Sequence, residues 1–310
     1  MNFLNYLIHI PINFVKYFLI GLKSITITFP LFLINKFKKS KKKIPNTILF
    51  LSIISYLLCI FILTRWFVQN ERTKNFTNSI INQETLIINE TTNEYKDNNN
   101  IEDKITNTNE FKTNNYDTKD YINVNLDYYL NKNKETIGWI QIKDTNINYP
   151  VVQHKDNEYY LNHDFYNKKT EVGWIYADYR NNFESLDNNT IIYGHNLINK
   201  IMFGEIPDFL EEEWLNKEKK PYIKVSTIHH NTVWEIFSIY KIEPTTDYLQ
   251  AKFNSIEHYS TFLTLIKNRS KKNFNIEIQP TDKIITLSTC DHTGLYRVVV
   301  HAKLIKIQNK

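Results

Sequence analysis

One stretch constrains this chain more than any other. From Ile44 to Val68 the side chains are almost all apolar, and no charge interrupts them before Arg65. A helix needs ~20 mostly apolar residues to cross ~30 Å of hydrocarbon. The run therefore predicts a transmembrane helix over residues 44–68, with Arg65 and Trp66 as interfacial anchors. A cleaved signal peptide fits poorly, because the run begins at Ile44 and no small-residue cleavage site follows it. Eight lysines and no acid lie in residues 1–43, so that segment carries +8 of a net +5 and leaves −3 for the rest of the chain. The positive-inside rule then keeps the lysines in the cytoplasm and puts everything after Val68 outside the membrane.

Residues 1–43 form a basic and apolar N-terminal segment, cytoplasmic or membrane-associated. Within it, Phe14 to Ile34 is apolar but broken by Lys16, Gly21, Lys23 and Pro30. It reads as a second span or as an interfacial helix, and both leave the orientation unchanged. Residues 69–118 are polar and Asn-rich, with Asn98-Asn-Asn100 and Asn114-Asn115. Such a stretch cannot bury enough apolar area to offset its ordering entropy, so it reads as an extracellular linker.

Residues 119–310 read as one folded domain. Ile137–Ile142, Gly173–Asp178, Thr190–Tyr193, Tyr222–Ser226, Val233–Ile242, Lys283–Thr289 and Arg297–Ile307 carry the short apolar and β-branched runs of strands. Tyr159–Asn162 reads as a helical turn. Ile256–Lys267 has helical spacing, with Ile256, Tyr259, Phe262, Leu263 and Ile266 on one face. Many short strands with few helices predict a mainly β fold, a closed barrel with rim helices. No internal repeat is visible. With the positive charge confined to the N-terminus, the body lacks the cationic face that nucleic acid requires. The chain has two cysteines, which excludes a disulfide scaffold and a zinc module of paired Cys-x-x-Cys motifs.

Outside the apolar run the one cysteine is Cys290, at the end of Lys283-Ile-Ile-Thr-Leu-Ser-Thr-Cys290. Alternation puts Ile285 and Leu287 on one face and Thr286, Ser288 and Cys290 on the other, less apolar one. The thiol reads either as a small buried hydrophobe or as a nucleophile at a strand end. After a six-residue connection a second strand opens at Arg297. If the two pair antiparallel, Cys290 and Arg297 face each other across the hairpin mouth. A guanidinium there is either an ordinary edge charge or a donor to an oxyanion that also favours thiolate. A third strand ends in Tyr193-Gly194-His195, which puts a proton carrier at its tip. His292 competes for that role by proximity to Cys290, but the chain direction sends it into the loop. Cys290 and His292 lack the further ligands of a metal site.

His at one strand end, Leu-Ser-Thr-Cys at another and Arg opening the next together resemble the sortases, membrane-anchored cysteine transpeptidases of the Gram-positive cell surface. The resemblance rests on Tyr193-Gly194-His195, Thr286-Leu-Ser-Thr-Cys290 and Arg297-Val-Val-Val. Class B is closer still. It adds Gly138-Trp-Ile-Gln-Ile, Thr145-Asn-Ile-Asn-Tyr-Pro-Val-Val152, Lys155-Asp-Asn-Glu-Tyr-Tyr-Leu161, Gly173-Trp-Ile-Tyr-Ala-Asp-Tyr-Arg-Asn181 and Met202-Phe-Gly204. It spans roughly residues 121–310. The helix over Ile256–Lys267 is also a class B trait.

The resemblance implies catalysis by His195, Cys290 and Arg297. A Cys290 thiolate attacks the Thr carbonyl of a C-terminal sorting signal to give a thioester acyl-enzyme. His195 protonates the leaving amine and Arg297 stabilises the oxyanion. It further implies substrate binding by Asn157, Leu161, Tyr193, Thr245, Tyr248, Leu249 and Ser288, with ordinary rim packing as their other reading. The implied partners are surface proteins ending in an Asn-Pro-Gln-Thr-Asn-like signal, the amine of a peptidoglycan precursor (lipid II) and the membrane. No cofactor and no metal is implied, since the acidic calcium cluster of class A has no counterpart. The connection from Cys290 to Arg297 is shorter than in several class B members, and residues 1–43 exceed their usual cytoplasmic tail. Two alternatives share parts of this chemistry: a pilin-polymerising sortase that uses a pilin lysine, and a secreted cysteine endopeptidase that uses water. The second is disfavoured because papain-like enzymes start a helix with their Cys and place His after it.

Overall fold

The computed structural model describes residues 52, 54–65, 67–68, 71–72, 74–75 and 77–79, then 121–310 except 123, 198, 218–219 and 291–294; at Cys290 it describes the strand backbone. Residues 1–43, and nearly all of the expected linker over 69–118, lie outside these, as does His292. The chain divides into two units at Gln69 and Asn70.

In the first unit, among the described residues, no helix is long and apolar enough to cross a membrane. The transmembrane helix expected over 44–68 is therefore not borne by the structure, and residues 44–51, 53 and 66 of that run lie outside the described set. The described residues from 54 to 65 are helical. They carry exposed apolar side chains, with Leu57, Phe61 and Ile62 each more than half exposed.

In the second unit, eight strands close into a barrel: β1 (Thr136–Ile142), β2 (Asn148–Val152), β3 (Tyr176–Ala177), β4 (Asn189–Tyr193), β5 (Ile223–Thr227), β6 (His230–Ile242), β7 (Ile284–Cys290) and β8 (Arg297–Asn309). The order around the barrel is β1-β2-β3-β4-β7-β8-β6-β5, closing back on β1. β2–β3 and β4–β7 are parallel and the other pairs antiparallel. Inward side chains such as Trp139, Ile192, Ile239, Ile285, Leu287 and Val300 form the main core.

Two strand expectations change. β2 went unread as a strand because Pro150 breaks its pattern. Proline is tolerated there because the far side of β2 makes a single bridge, Val152 to Tyr176, so little ladder is lost with the missing N–H. The run over Gly173–Asp178 shrinks to two strand residues. Gly173 takes φ 62° and the Trp174 amide donates to the Tyr160 carbonyl (2.9 Å), which ties that backbone to a 3-10 turn over Tyr159–Leu161.

The helices are α1 (Asp127–Lys132), α2 (Glu212–Leu215) and α3 (Ile256–Asn268); the first two are too short to announce themselves by periodicity. In α3 the Ser255 hydroxyl caps the N-terminus by accepting the His258 amide. Its buried face is Tyr259, Phe262, Leu263 and Ile266, whereas Ile256 is 56% exposed. That face packs with Phe237, Tyr240, Ile284 and Val299, the outward side chains of β6, β7 and β8. α3 thus covers the barrel's outer wall. This settles the environment of the β7 face that carries Thr286 and Ser288: it is polar but buried, at 0% and 4% exposure.

Candidate active site

β4 and β7 run side by side with Tyr193 opposite Ser288, and the Gly194 amide extends the pairing to the Ser288 carbonyl (3.3 Å). β7 then pairs antiparallel with β8, with Cys290 opposite Arg297. The strand that ends in Cys290 therefore lies between the strand that leads to His195 and the strand that opens with Arg297. A groove of about 380 Å³ opens over these strand ends. Tyr193, His195, Ser288, Thr289 and Arg297 line it, joined by Leu161 and Tyr176. Gly194 lines it too, and the loop Pro244 to Leu249 contributes Pro244, Thr245, Thr246, Tyr248 and Leu249.

The His195 Nε2 lies 2.8 Å from the Leu161 carbonyl oxygen. A carbonyl only accepts, so Nε2 carries a proton and, in the neutral ring, Nδ1 is the free base. Among the described residues Nδ1 has no partner. Gly173 packs directly on this imidazole: a Cβ there would stand 2.8 Å from His195 Cδ2 and 2.7 Å from the same Leu161 carbonyl. Arg297 is half-buried, and its Nη1 donates to the Tyr296 carbonyl (3.3 Å). Among the described residues it has no carboxylate partner, and it lines the groove. Lys241 adds a second cation at the hairpin mouth, 4.3 Å from the Tyr296 ring centre.

The implied substrate residues separate into groups. Leu161 is 42% exposed on the groove, while Thr245 and Leu249 are half-buried on its loop. Tyr248 is 1% exposed, and its hydroxyl shares a hydrogen bond with the Ser288 hydroxyl (3.0 Å). This pair therefore braces the groove floor rather than presenting free hydroxyls. Tyr193 stacks on Tyr176 and donates its hydroxyl to the Asp178 carboxylate (2.8 Å). Burial and then that carboxylate push its phenol well above the ordinary range, so it is a wall and a donor, not an acid. Asn157 is not among the groove-lining residues. Its side chain donates to Asp178 (2.9 Å) and accepts the Tyr179 amide (3.0 Å), so its influence on the groove passes through Asp178.

Asp178 is the site residue that sequence reasoning missed. Its side chain is 0% exposed and receives Arg180 Nε (2.8 Å) and Nη2 (2.7 Å) besides Tyr193 and Asn157. Burial opposes its ionisation, but the Arg180 and Tyr193 hydrogen bonds prevail and hold its carboxyl below the usual range. The available signal was an Asp and an Arg two apart at the end of a run otherwise apolar and aromatic, where charges need partners. Among the described residues no three His, Cys, Asp or Glu side chains converge as metal ligands.

This arrangement has known counterparts. A sortase-domain family model matches residues 140–305. Sortase B of Listeria monocytogenes is 40% identical over 178 residues, covering 56% of this chain and 71% of that protein. Among solved structures, the Staphylococcus aureus sortase B–substrate complex superposes with a TM-score of 0.54 at 34% identity, covering 58% of this chain and 83% of that one. Clostridium perfringens sortase B gives 0.54 at 35% identity, covering 58% of this chain and 98% of that one. The family match takes in β4, β7 and the opening of β8, the three strands that meet at the groove, and the chain belongs to the sortases, the cysteine transpeptidases, with its likeness in class B.

Proposed function

We propose that Cys290, His195 and Arg297 carry a two-step acyl transfer in this groove. The Cys290 thiolate attacks the carbonyl of the Thr in a sorting signal, and the resulting oxyanion is met by the Arg297 guanidinium. The imidazolium of His195 gives its Nδ1 proton to the leaving amine, and a thioester remains on Cys290. An incoming amine then attacks the thioester, His195 Nδ1 takes its proton, and the thiolate leaves with a new amide formed. The thioester splits one hard amide exchange into two easier steps. One observation carries this reading: β7 lies between the strands of His195 and Arg297, with a single groove over all three ends.

The substrates in this proposal are surface proteins with an Asn-Pro-Gln-Thr-Asn-like signal, and the amine is that of a peptidoglycan precursor such as lipid II. Class B family membership supports cell-wall anchoring as the outcome. The pilin-polymerising and endopeptidase alternatives gain no support from the relatives. We also propose that residues 44–68 hold the enzyme at the membrane with the catalytic domain outside. The uncharged run up to Arg65, the lysines before it and the exposed apolar side chains of Leu57, Phe61 and Ile62 support this.

The test is intact-mass analysis of the detergent-solubilised full chain with a panel of sorting-signal peptides and amine acceptors. The expected result is an acyl adduct on Cys290 that is discharged by a cell-wall amine and is absent from Cys290→Ala. An adduct elsewhere, or release to water with no dependence on amine, overturns the proposal.

A further inference from the structure

Two parts of the groove lining share no strand ladder: Tyr193 at the end of β4, and the loop bearing Thr245 and Leu249. One side chain touches the supports of both. Arg180 lays Nε and Nη2 on the two oxygens of Asp178, at 2.8 and 2.7 Å. Asp178 Oδ2 in turn accepts the Tyr193 hydroxyl (2.8 Å) and the Asn157 amide (2.9 Å). The same Arg180 Nη2 also donates to the Leu249 carbonyl (2.9 Å). The guanidinium is therefore a planar bracket, with the buried carboxylate behind the β4 wall on one edge and the loop backbone on the other.

We propose that Arg180 is a positioning residue that fixes the spacing of the β4 wall and the Thr245–Leu249 loop, and so sets how tightly the groove holds the sorting signal. The inference rests on the acyl-transfer reading for its substrate, but the bracket itself is independent of chemistry at Cys290. Arg180 is not among the residues that line the groove, so it acts through Tyr193 and Leu249. Lysine keeps the charge beside Asp178 but is a single point donor that cannot span carboxylate and carbonyl in one plane.

The experiment compares wild type with Arg180→Lys in the full chain. Three quantities are read: KM and kcat for an Asn-Pro-Gln-Thr-Asn peptide, the rate of Cys290 alkylation by iodoacetamide, and hydrogen exchange at the Leu249 amide. That amide donates to the Thr246 carbonyl (3.0 Å) and reports the loop's closure. In Arg180→Lys, KM should rise about tenfold and Leu249 exchange should quicken about tenfold, the loss of one charge-assisted bond. kcat should change less than about twofold, and alkylation should not change, because a small reagent does not need the walls. A folded Arg180→Lys with unchanged KM and exchange overturns the proposal. If that variant fails to fold, the neutral pair Asp178→Asn/Arg180→Met, which leaves no buried charge unpaired, takes its place under the same criteria. Quickened exchange in a protein whose wild type cleaves no sorting-signal peptide would retain the bracket and sink the acyl-transfer reading instead.

Discussion

His195, Ser288 and Arg297 stand at the ends of three strands hydrogen-bonded to one another, while Thr245 and Leu249 stand on a loop that belongs to no sheet. The strand ends inherit their positions from the barrel, whose ladder is closed and whose inner face is packed. The loop has no ladder: Tyr248 anchors it in the cluster under α3, and separate polar contacts hold it from four directions. Arg180 takes the Leu249 carbonyl, Asn189 takes the Gln250 carbonyl (3.0 Å), Ser288 meets the Tyr248 hydroxyl, and Arg269 forks onto Asp247 (2.8 and 2.5 Å). The difference suggests a division of labour. In the proposed mechanism, the groups that do chemistry sit where the fold leaves least freedom, and the groups that read the substrate sit on a loop outside the ladder.

The largest effect should come from the strand ends. Arg297→Lys keeps a positive charge at the groove but loses the planar fork, and kcat for a sorting-signal peptide should fall about 10²- to 10³-fold with a smaller change in KM. Near-wild-type turnover would remove the oxyanion role and weaken the contrast with the loop. Gly173→Ala tests the same wall by displacement. Its φ of 62° disfavours any side chain, and the added Cβ would crowd both the His195 ring and the Leu161 carbonyl that orients it. Stability should drop by about 1–2 kcal/mol or more from the left-handed backbone. kcat should fall about tenfold or more as the imidazole moves. A Gly173→Ala enzyme with lowered stability and full kcat would show that the ring has slack.

On the loop side, Asp247→Asn removes a half-exposed ion pair with Arg269. Exposed pairs contribute about 0.2–1 kcal/mol, so denaturant midpoints should barely move. KM should rise about threefold while kcat holds, the signature of a contact used equally in ground and transition states. A fall in kcat with KM unchanged would place the loop among the chemical groups and erase the comparison.

The same contrast explains what was legible in the sequence. The barrel strands and the three strand-end residues show as period-2 runs that stop at Tyr193-Gly194-His195, Cys290 and Arg297, because local pattern and tertiary position coincide there. β2 did not show, since Pro150 spoils its pattern and its tolerance depends on how little the far side pairs. Neither did the bracket from Arg180 to Leu249, for those two lie 69 residues apart and no local periodicity encodes them, although its Asp178–Arg180 half left a local trace. The polarity of the Thr286–Ser288 face was legible from alternation, whereas its burial was not, because the cover comes from α3 and the loop, far along the chain.

That covered face holds the smallest expected effect on turnover and a distinct one on stability. Thr286 donates to Asn189 Oδ1 (2.7 Å), so toward His301 Nδ1 (2.8 Å) its oxygen must accept. The His301 proton therefore sits on Nδ1, and Nε2 accepts the Tyr240 hydroxyl (2.9 Å). Each bond runs in one direction with a neutral ring, and a second proton on Nε2 would break the Tyr240 link. Burial, reinforced by the nearby Arg269 charge, pushes the His301 pKa from 6.5 down to about 3. A histidine whose pKa is depressed in the fold is protonated first in the unfolded chain, so its contribution is complete above pH 6.5 and drains away as pH falls toward about 3. His301→Gln should leave kcat at neutral pH within about twofold, as His301 does not line the groove. It should cost stability at pH 7, and its gap from wild type in urea midpoint should narrow steadily below pH 6.5. The carboxylates of Asp178 and Asp247, also held below their usual range, lose stability on the same acid limb in both proteins, so the difference between the two isolates the histidine. A gap that stays constant down to pH 4 would mean that the buried ring is not kept neutral by this chain of hydrogen bonds.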